Sequence, residues 1–259
     1  MGINTNNTKV MHIQLIRNAT MLITYGNRVF ITDPYLAPKH SQEPLIGKSR
    51  NPTADLPFSS EDGLANVEMV LVSHLHPDHF DSLARQMLPK DIQIFCQPGD
   101  EGQIKEAGFS NVAVVDGSID WHNMRITRTH GQHGNDVWAA QMGPVSGFIF
   151  RAENEPTIYW TGDTIWYEAV EQVIRDTEPD IIITHSSGAS FEAGAPIIMD
   201  ARQTIEVCRV APQSTVIAVH METFDFDTIS REDLRALAEA EGIEAKQLLI
   251  PADGETLVF

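Results

Sequence analysis

One short stretch of the sequence places four candidate metal ligands directly after a hydrophobic strand. The apolar run 69–72 predicts a buried strand, and it is followed by His74, His76, Asp78 and His79. Residues two apart in an extended chain point to the same side, so His74 and His76 can hold one cation together. Imidazole and carboxylate groups without thiolates suit zinc, manganese or iron. The stretch therefore predicts a metal site at the end of a strand.

The composition predicts a large, acidic, globular protein. The chain has 259 residues, of which 42% are hydrophobic, and 18 Lys and Arg stand against 36 Asp and Glu, giving a formal net charge of −18. A chain of this size can bury a substantial core. Its negative charge disfavours general binding to nucleic acid or to anionic membranes. We therefore expect a small-molecule substrate, with no nucleic-acid or membrane partner, while formation of a homo-oligomer stays open.

The cellular location is predicted from targeting signals and cysteine usage. Residues 1–9 lack the apolar core of a signal peptide, and no apolar run reaches transmembrane length. The two cysteines, Cys96 and Cys208, lie in apolar surroundings and are expected to be buried free thiols. Free thiols are typical of reducing compartments, so the expected location is cytoplasmic.

Four predicted strands end shortly before a residue that can bind metal. Each pair consists of a last apolar residue and the polar residue that follows: Val72 and His74, Trp160 and Asp163, Ile183 and His185, Val219 and His220. Sites in layered α/β proteins collect beyond strand ends, where loops meet on a rigid sheet. Separate strands that deliver histidine and aspartate to one edge are what a two-metal centre requires.

Several motifs resemble those of a known superfamily. The run from His74 to His79 reads HLHPDH and resembles the HxHxDH signature of the metallo-β-lactamase superfamily, and a later His-Gly, a strand-end Gly-Asp and a strand-end His follow its ligand order. The motifs RNAT at 17–20, GQHG at 131–134, GDT at 162–164 and VHME at 219–222 resemble the branch that contains ascorbate-6-phosphate lactonases and related predicted metal-dependent hydrolases. This resemblance covers nearly the whole chain.

The resemblance implies both the fold and the ligand set. The implied fold is α/β, a four-layer αββα sandwich of the metallo-hydrolase/oxidoreductase type, with one domain over residues 1–259 built from two similar halves. Two divalent ions are implied, with zinc as the first choice and manganese or iron as alternatives. By motif matching, the first ion would be held by His74, His76 and His133, the second by Asp78, His79 and His220, and Asp163 would bridge the two.

The resemblance also implies a reaction. A hydroxide bridging the two metals would attack a small ester, lactone or phosphate-bearing metabolite, and a lactone is the leading expectation. Asp78 would be the catalytic residue, orienting the nucleophile and accepting its proton. The alternatives are a phosphodiesterase of the same superfamily and a non-catalytic metal-binding protein. A redox di-iron protein on this scaffold is disfavoured, because the chain shows neither a carboxylate among the first-metal histidines nor a flavin domain.

Two histidines near the predicted site have alternative interpretations. His130 and His133 lie three apart and each precedes a glycine. His133 is favoured as the ligand, which leaves His130 to contact substrate, to support a ligand or to be an ordinary loop residue. His185 departs from the pattern of the resembled branch. A role behind the ligands or in the pocket is slightly favoured for it, and metal ligation is the alternative.

Other residues around the predicted site also carry two interpretations. Trp166 and Tyr167 follow the strand-end aspartate and either line the pocket or pack the first turn of a helix. Asp33 either supports a metal ligand or caps a turn. Gly188 and Gly194 bracket the loop 186–196, which is placed to contact substrate unless it is an ordinary connection.

Overall fold

The backbone forms two seven-stranded sheets in a computed structural model that describes residues 10–44, 49–59, 63–64, 66–191 and 195–259. The strands of the first sheet are β1 (His12–Arg17), β2 (Thr20–Tyr25), β3 (Arg28–Thr32), β4 (Met69–Val72), β5 (Gln93–Cys96), β6 (Val112–Val114) and β14 (Thr256–Val258). The strands of the second sheet are β7 (Ser118–Trp121), β8 (Met124–His130), β9 (Ser146–Ala152), β10 (Ile158–Trp160), β11 (Ile181–His185), β12 (Thr215–Val219) and β13 (Leu248–Leu249).

Short helices connect these strands. They are α1 (Ser82–Met87), α2 (Glu101–Glu106), α3 (Asp136–Met142), α4 (Glu168–Thr177), α5 (Ala201–Val210) and α6 (Arg231–Ala240). None of the helices in the described ranges is long and apolar enough to span a membrane. The two cysteines are buried free thiols, as predicted.

Each sheet combines an antiparallel part with a parallel part. The first has the order β14-β1-β2-β3-β4-β5-β6, antiparallel from β14 to β3 and parallel from β3 to β6. The second, counted from β7 to β13, is antiparallel up to β10 and parallel beyond it. One domain built from two similar halves stays a prediction, and this repeated pattern is the observation that supports it.

The main hydrophobic core lies between the two sheets. Buried side chains from both sheets meet there, among them Phe30, Leu71, Phe148, Trp160 and Ile217. Burial of a large apolar side chain contributes roughly 1.5–3 kcal/mol, so this layer is a main source of stability.

Helices cover the outer face of each sheet. In β4, Leu71 faces the other sheet, while Val70 and Val72 pack in a cluster that contains Ala84 of α1 and Ile104 of α2. The strand is buried on both faces, which explains why its residues are apolar without alternation. Helices α4, α5 and α6 cover the second sheet in the same way. The predicted four-layer αββα sandwich is confirmed.

Candidate metal centre

Side chains from the ends of five strands, β4, β8, β10, β11 and β12, and from the loops that follow them meet at one edge of the sandwich. Their candidate ligand atoms form three overlapping groups, each with its atoms within 4.8 Å of one another: His74, His76, His133 and Asp163; Asp78, His79 and His220; Asp163, His185 and His220. The first two groups contain the residues that the sequence assigns to the first and the second ion. Asp163 belongs to the first and third groups and so lies at the centre of the cluster.

The two carboxylate oxygens of Asp163 have different surroundings. Oδ2 lies 3.2 Å from Nε2 of His79, 3.3 Å from Nε2 of His133 and 3.7 Å from Nε2 of His74. Oδ1 lies 2.5 Å from Nδ1 of His185. Asp163 is only 3% exposed. Oδ1 also lies 3.8 Å from Nε2 of His220. Oδ2 therefore faces three histidines of the cluster, while Oδ1 is hydrogen-bonded to His185 on the core side.

Gly162 allows β10 to deliver Asp163 to this position. Its φ is +65°, in the left-handed region that favours glycine, and a Cβ there would lie 2.3 Å from the backbone oxygen of Ser146. Any other residue would force β9 and the end of β10 apart. The Gly-Asp pair is thus a steric requirement of this strand end.

Hydrogen bonds fix the ring orientation of three histidines. His79 donates from Nδ1 to Oδ2 of Asp33 at 2.7 Å, and His133 donates from Nδ1 to the carbonyl of Ile197 at 2.8 Å. The hydroxyl of Ser73 donates to Asp33, so it accepts from Nδ1 of His74 at 2.9 Å. In all three rings Nε2 faces the cluster, as metal-binding histidines require.

His76 is oriented the other way round. Its Nε2 lies 3.0 Å from the carbonyl of Met142 at the end of α3 and donates to it, which leaves Nδ1 for a metal. His76 is also less buried than the other histidines of its group. The predicted pairing of His74 with His76 is therefore geometrically sound, although the two rings use different nitrogens.

Asn18 joins the two loops of the second ligand group. Its carbonyl accepts from the backbone N–H of His220 at 2.9 Å, and its side-chain amide donates to the carbonyl of Asp78 at 3.0 Å. His220 has a φ of +59°, which is uncommon for a residue with a Cβ and marks local strain. The hydrogen bond that the backbone N–H of His220 donates to Asn18 helps to stabilise this conformation.

Unpaired nitrogen atoms show that the cluster fits a metal. Nε2 of His74, His79 and His220 is buried and finds no hydrogen-bond partner among the described residues. A buried polar atom without a partner costs about 1–3 kcal/mol. Imidazole nitrogens and carboxylates that converge in this way are a suitable donor set for divalent ions, which would satisfy these atoms.

The electrostatics keep carboxylates and histidines in complementary states. Burial alone would raise the pKa of Asp163, but the surrounding histidines, with His79 first, hold this pKa well below its usual range. Burial would lower the pKa of His79, yet the carboxylates of Asp163, Asp78 and Asp33 raise it well above the ordinary value. Burial lowers the pKa of His74 and of His133. The carboxylate of Asp163 is therefore ionised at neutral pH.

His185 lies behind the cluster with both ring nitrogens engaged. Nδ1 contacts Asp163, and Nε2 accepts a hydrogen bond of 2.9 Å from the indole Nε1 of Trp160. Burial lowers the pKa of His185 to about 4, so the ring is neutral at pH 7. Of the two sequence interpretations, the geometry fits a role behind the ligands.

Three other candidate residues lie outside the cluster. His130 is exposed, and its Nδ1 lies 3.3 Å from the guanidinium of Arg128. Trp166 and Tyr167 pack beside the helices on the outer face of the second sheet, and the hydroxyl of Tyr167 donates to the carbonyl of His130. These residues take no part in the three ligand groups, whereas His133 does.

Two supporting residues were not predicted from the sequence. Ser73 links Asp33 to His74, and Asp227 accepts hydrogen bonds from the backbone N–H groups of Thr223 and Phe224, which shapes the turn after His220. For Ser73 a signal existed, since it sits between an apolar strand and the first ligand. Asp227 offered none, because its role depends on how the loop folds back.

A cavity of about 160 Å³ opens onto the cluster. Its polar wall is formed by the candidate ligands His76, Asp78, His133, Asp163 and His220. Its apolar wall is formed by Pro77, Met142, Ala189, Phe191, Ile197, Ile198 and Phe226. Ala189 and Phe191 belong to the loop predicted to contact substrate, while Gly194 of that loop lies outside the described residues. Trp166 and Tyr167 do not line this cavity.

Comparison with known sequences places the chain in a family. It matches the family model "Beta-lactamase superfamily domain" over residues 28–221. The UPF0173 protein YddR of Bacillus subtilis (strain 168) is 36% identical over 255 residues, covering 96% of this chain and 100% of that protein. A UPF0173 metal-dependent hydrolase of Koribacter versatilis (strain Ellin345) is 23% identical and covers 70% of this chain and 77% of that protein.

Two solved structures are similar along their whole length. A possible metal-dependent hydrolase from Veillonella parvula DSM 2008 has a TM-score of 0.93 at 35% identity and covers 97% of this chain and 100% of its own. An isothiocyanate hydrolase from Delia radicum gut bacteria has a TM-score of 0.91 at 35% identity, covering 96% and 99%. Fold and site together define a protein of the metallo-β-lactamase superfamily. Within it, the chain belongs to the UPF0173 family of metal-dependent hydrolases.

Proposed function

We propose that the chain is a two-metal hydrolase of small, uncharged electrophiles and that isothiocyanates are its substrate class. The observation that carries the proposal is the cavity beside the cluster. Among the described residues that line it, the side chains are apolar apart from the candidate ligands, and none is a lysine or an arginine. A neutral molecule with an apolar substituent suits such a cavity.

A phosphate-bearing substrate suits the cavity less well. A phosphate group carries about −1.5 to −2 charges and is usually held by arginine or lysine. Here the described lining offers two carboxylates, Asp78 and Asp163, and no such cation. Membership of the ascorbate-6-phosphate lactonase-like branch and phosphodiester hydrolysis stay predictions, and both rank behind a neutral substrate. A neutral lactone fits the same argument and is the second candidate.

One of the related structures supports the substrate class. It is named an isothiocyanate hydrolase, and it is similar to this chain over nearly its full length at 35% identity. An isothiocyanate, R–N=C=S, is neutral, has an electrophilic carbon and carries an organic group R that is often apolar. Its reactive end and its substituent match the polar and the apolar wall of the cavity.

The metals of the proposed centre follow from the ligand groups. His74, His76 and His133 would hold one ion, Asp78, His79 and His220 the other, with Asp163 shared between them. The all-imidazole and carboxylate donor set favours zinc, with manganese or iron as alternatives. When bound, such ions act as Lewis acids that lower the pKa of water and polarise the electrophile.

The chain's own residues would orient the substrate and move protons. Phe191, Ile198 and Phe226 would hold the group R and exclude water from its surface. Water adds to the central carbon, both of its protons are transferred to nitrogen, and cleavage of the C–N bond gives R–NH₂ and carbonyl sulfide, so that atoms balance. Asp78 lines the cavity and its pKa is held well below the usual range, chiefly by His79 against the effect of burial. Its ionised carboxylate would accept a proton from the attacking water.

The remaining expectations stay proposals. A small-molecule substrate is expected for a hydrolase of this family, and the charge of −18 argues against general binding to nucleic acid. A cytoplasmic location stays a prediction from the sequence, and the number of subunits stays open.

The test combines metal analysis with a substrate panel. The purified protein is stripped, reloaded separately with Zn²⁺, Mn²⁺ or Fe²⁺, and analysed for bound metal by mass spectrometry. Each form is then assayed with allyl, benzyl and phenethyl isothiocyanate, a neutral lactone, a sugar-phosphate lactone, a phosphodiester, a thioester and a β-lactam. We expect two ions per chain and turnover of isothiocyanates, with release of amine and carbonyl sulfide.

A pair of matched variants links activity to the site. His76→Ala should lose metal and activity together, whereas His122→Ala, an exposed histidine outside the ligand groups, should keep both. Activity that survives His76→Ala would show that the site is assigned wrongly. With two ions bound, turnover of the phosphorylated substrates but not of the neutral ones would overturn the substrate class.

A further inference from the structure

Trp160 and His185 form a buried pair directly behind Asp163. The indole Nε1 of Trp160 donates to Nε2 of His185 at 2.9 Å, and Nδ1 of His185 lies 2.5 Å from Oδ1 of Asp163. Trp160 and His185 are both completely buried. The three side chains thus form one continuous hydrogen-bonded chain from the core to the candidate metal centre.

The strand register explains why these residues meet. Strands β10 and β11 are parallel neighbours in which Trp160 pairs with Ile183. Since side chains alternate along a strand, His185 lies on the same face as Ile183, two residues nearer to the carboxyl end of β11. Asp163 follows Trp160 beyond that edge. A histidine at the end of β11 is therefore placed to contact both residues.

The indole determines which nitrogen of His185 carries the proton. An indole N–H can only donate, so Nε2 of His185 must offer its lone pair. The ring proton is then on Nδ1, which donates to Oδ1 of Asp163. Both ring nitrogens are engaged, and neither is free to bind an ion. This separates His185 from the residues of the two ligand groups, although its atoms are close enough to count as a candidate ligand.

We propose that His185 is a positioning residue that holds Asp163 by Oδ1, so that Oδ2 stays directed at histidines of both the first and the second ligand group. The inference rests on the proposed two-metal centre. Oδ2 is the oxygen that lies 3.2–3.3 Å from Nε2 of His79 and of His133. Rotation of the carboxylate would exchange the two oxygens, and the bond to His185 prevents it. Trp160 acts on Asp163 only through His185, because its indole N–H keeps His185 in the tautomer that donates from Nδ1.

Three variants separate this role from ligation. His185→Asn keeps an N–H donor near the position of Nδ1, His185→Leu removes it, and Trp160→Phe removes only the indole donor. Trp121→Phe is the control for the loss of an indole ring, since Trp121 packs at the edge of the same core. Each protein is loaded with Co²⁺ or Zn²⁺. Metal affinity is then measured by competition with a chelator, together with the Co²⁺ absorption spectrum and the melting temperature.

The expected order of metal affinities is specific to positioning. His185→Leu should weaken the binding of both ions by about 10–100-fold while still binding two ions at saturation. His185→Asn should recover most of that loss, and Trp160→Phe should show an intermediate loss with an altered Co²⁺ spectrum. Loss of one full equivalent of metal in both His185 variants would instead identify His185 as a ligand and overturn the proposal.

Failure of the inference can be told apart from failure of the proposed function. If the unmodified protein binds no divalent ion, the metal centre itself is refuted and the positioning role with it. If the unmodified protein binds two ions and His185→Leu binds them equally tightly with only its melting temperature lowered, the positioning role alone is refuted. His185 would then be an ordinary residue of the core.

Discussion

Nδ1 of His79 donates a hydrogen bond of 2.7 Å to Oδ2 of Asp33, and both side chains are completely buried. The same carboxylate accepts from the backbone N–H and the hydroxyl of Ser73, which in turn holds His74. One aspartate outside the three ligand groups thus orients a histidine of the first group and a histidine of the second. Carboxylates behind metal-binding histidines fix the tautomer and raise the basicity of the ring.

Asp33→Asn should weaken metal binding without unfolding the protein. Asn tolerates the left-handed φ of +38° and can still accept one hydrogen bond from Ser73. The NH₂ group of the new Asn, however, would take the position of Oδ2 and would face the Nδ1–H of His79, so that two donors oppose each other. This disfavours the tautomer of His79 that carries its proton on Nδ1 and leaves Nε2 free. Chelator competition should show an affinity lower by about 10–100-fold. Asp55→Asn, which changes an exposed carboxylate, is the control, and equal affinities in the two variants would contradict the assigned role of Asp33.

Phe226→Ala should change substrate preference more than catalysis. Phe226 lines the cavity and packs on Phe191 at a ring distance of 5.6 Å and on Phe224 at 5.1 Å. Loss of this surface should raise KM for phenethyl isothiocyanate by about 10-fold, which corresponds to ~1.4 kcal/mol of lost contact. The effect on allyl isothiocyanate, which has a smaller substituent, should be less.

Steady-state kinetics with both substrates measures this difference. Val137→Ala serves as the control because Val137 is 66% exposed on α3 and is not among the residues that line the cavity. An equal rise in KM for both isothiocyanates would mean that Phe226 does not contact the substituent.

The candidate ligands could be predicted from the sequence because their pattern is local. His74, His76 and His79 lie within six residues after an apolar strand, and Asp163 and His220 each follow a strand end. Since parallel strands deliver their carboxyl ends to one edge of a sheet, the pattern predicts that Asp163 and His220, which follow strands of the second sheet, lie close together. The resemblance to a known superfamily supplied the four layers, which spacing alone does not determine.

Contacts between distant segments could not be predicted in the same way. Asp33 lies 46 residues before His79, and its turn position fitted an ordinary cap as well as a supporting carboxylate. The bond between Trp160 and His185 depends on the register of two strands. Trp166 was a candidate for the pocket wall because it follows Asp163 closely, yet the turn before α4 directs it to the outer face of the sheet. The apolar wall was predicted only in part, through the loop that carries Ala189 and Phe191, whereas Met142, Ile198 and Phe226 come from segments that the sequence did not single out.

Asp100→Asn should stabilise the protein at neutral pH. Asp100 precedes α2, its Oδ2 is buried without a hydrogen-bond partner among the described residues, and burial raises its pKa to about 6. Because this pKa exceeds that of the unfolded chain, the folded protein binds more protons between about pH 4 and about pH 6, and stability falls as pH rises through that window. Above about pH 6 the ionised, buried carboxylate of Asp100 lowers the free energy of unfolding by its full amount.

Asp100→Asn should raise the free energy of unfolding by about 1 kcal/mol at pH 7.5. This is less than the raised pKa alone would imply, because the side chain is partly exposed and solvent screens its charge. The gain should vanish near pH 4. Urea unfolding of the metal-free protein at the two pH values measures it, with Glu101→Gln as a control that removes a neighbouring charge. A gain that is the same at both pH values would show that ionisation of Asp100 is not its cause.

Arg17→Lys should destabilise the protein even though it keeps the charge. The guanidinium of Arg17 is completely buried and donates to the carbonyls of Ala54, Tyr35 and Ala37 at 3.0, 3.1 and 2.9 Å. A lysine ammonium lacks the planar fork and cannot reach three carbonyls in this arrangement. Carbonyls left unpaired should lower the free energy of unfolding by about 2–4 kcal/mol.

Urea denaturation provides the measurement, and Arg28→Lys provides the matched control. Arg28 forms an ion pair with Glu68 in which the two side chains are 36% and 35% exposed, so the same substitution there should change the free energy of unfolding by less than about 1 kcal/mol. Because Asn18, next to Arg17, holds the backbones of His220 and Asp78, Arg17→Lys should also weaken metal binding, whereas Arg28→Lys should not. Equal destabilisation by the two substitutions would mean that the buried carbonyls do not depend on the guanidinium.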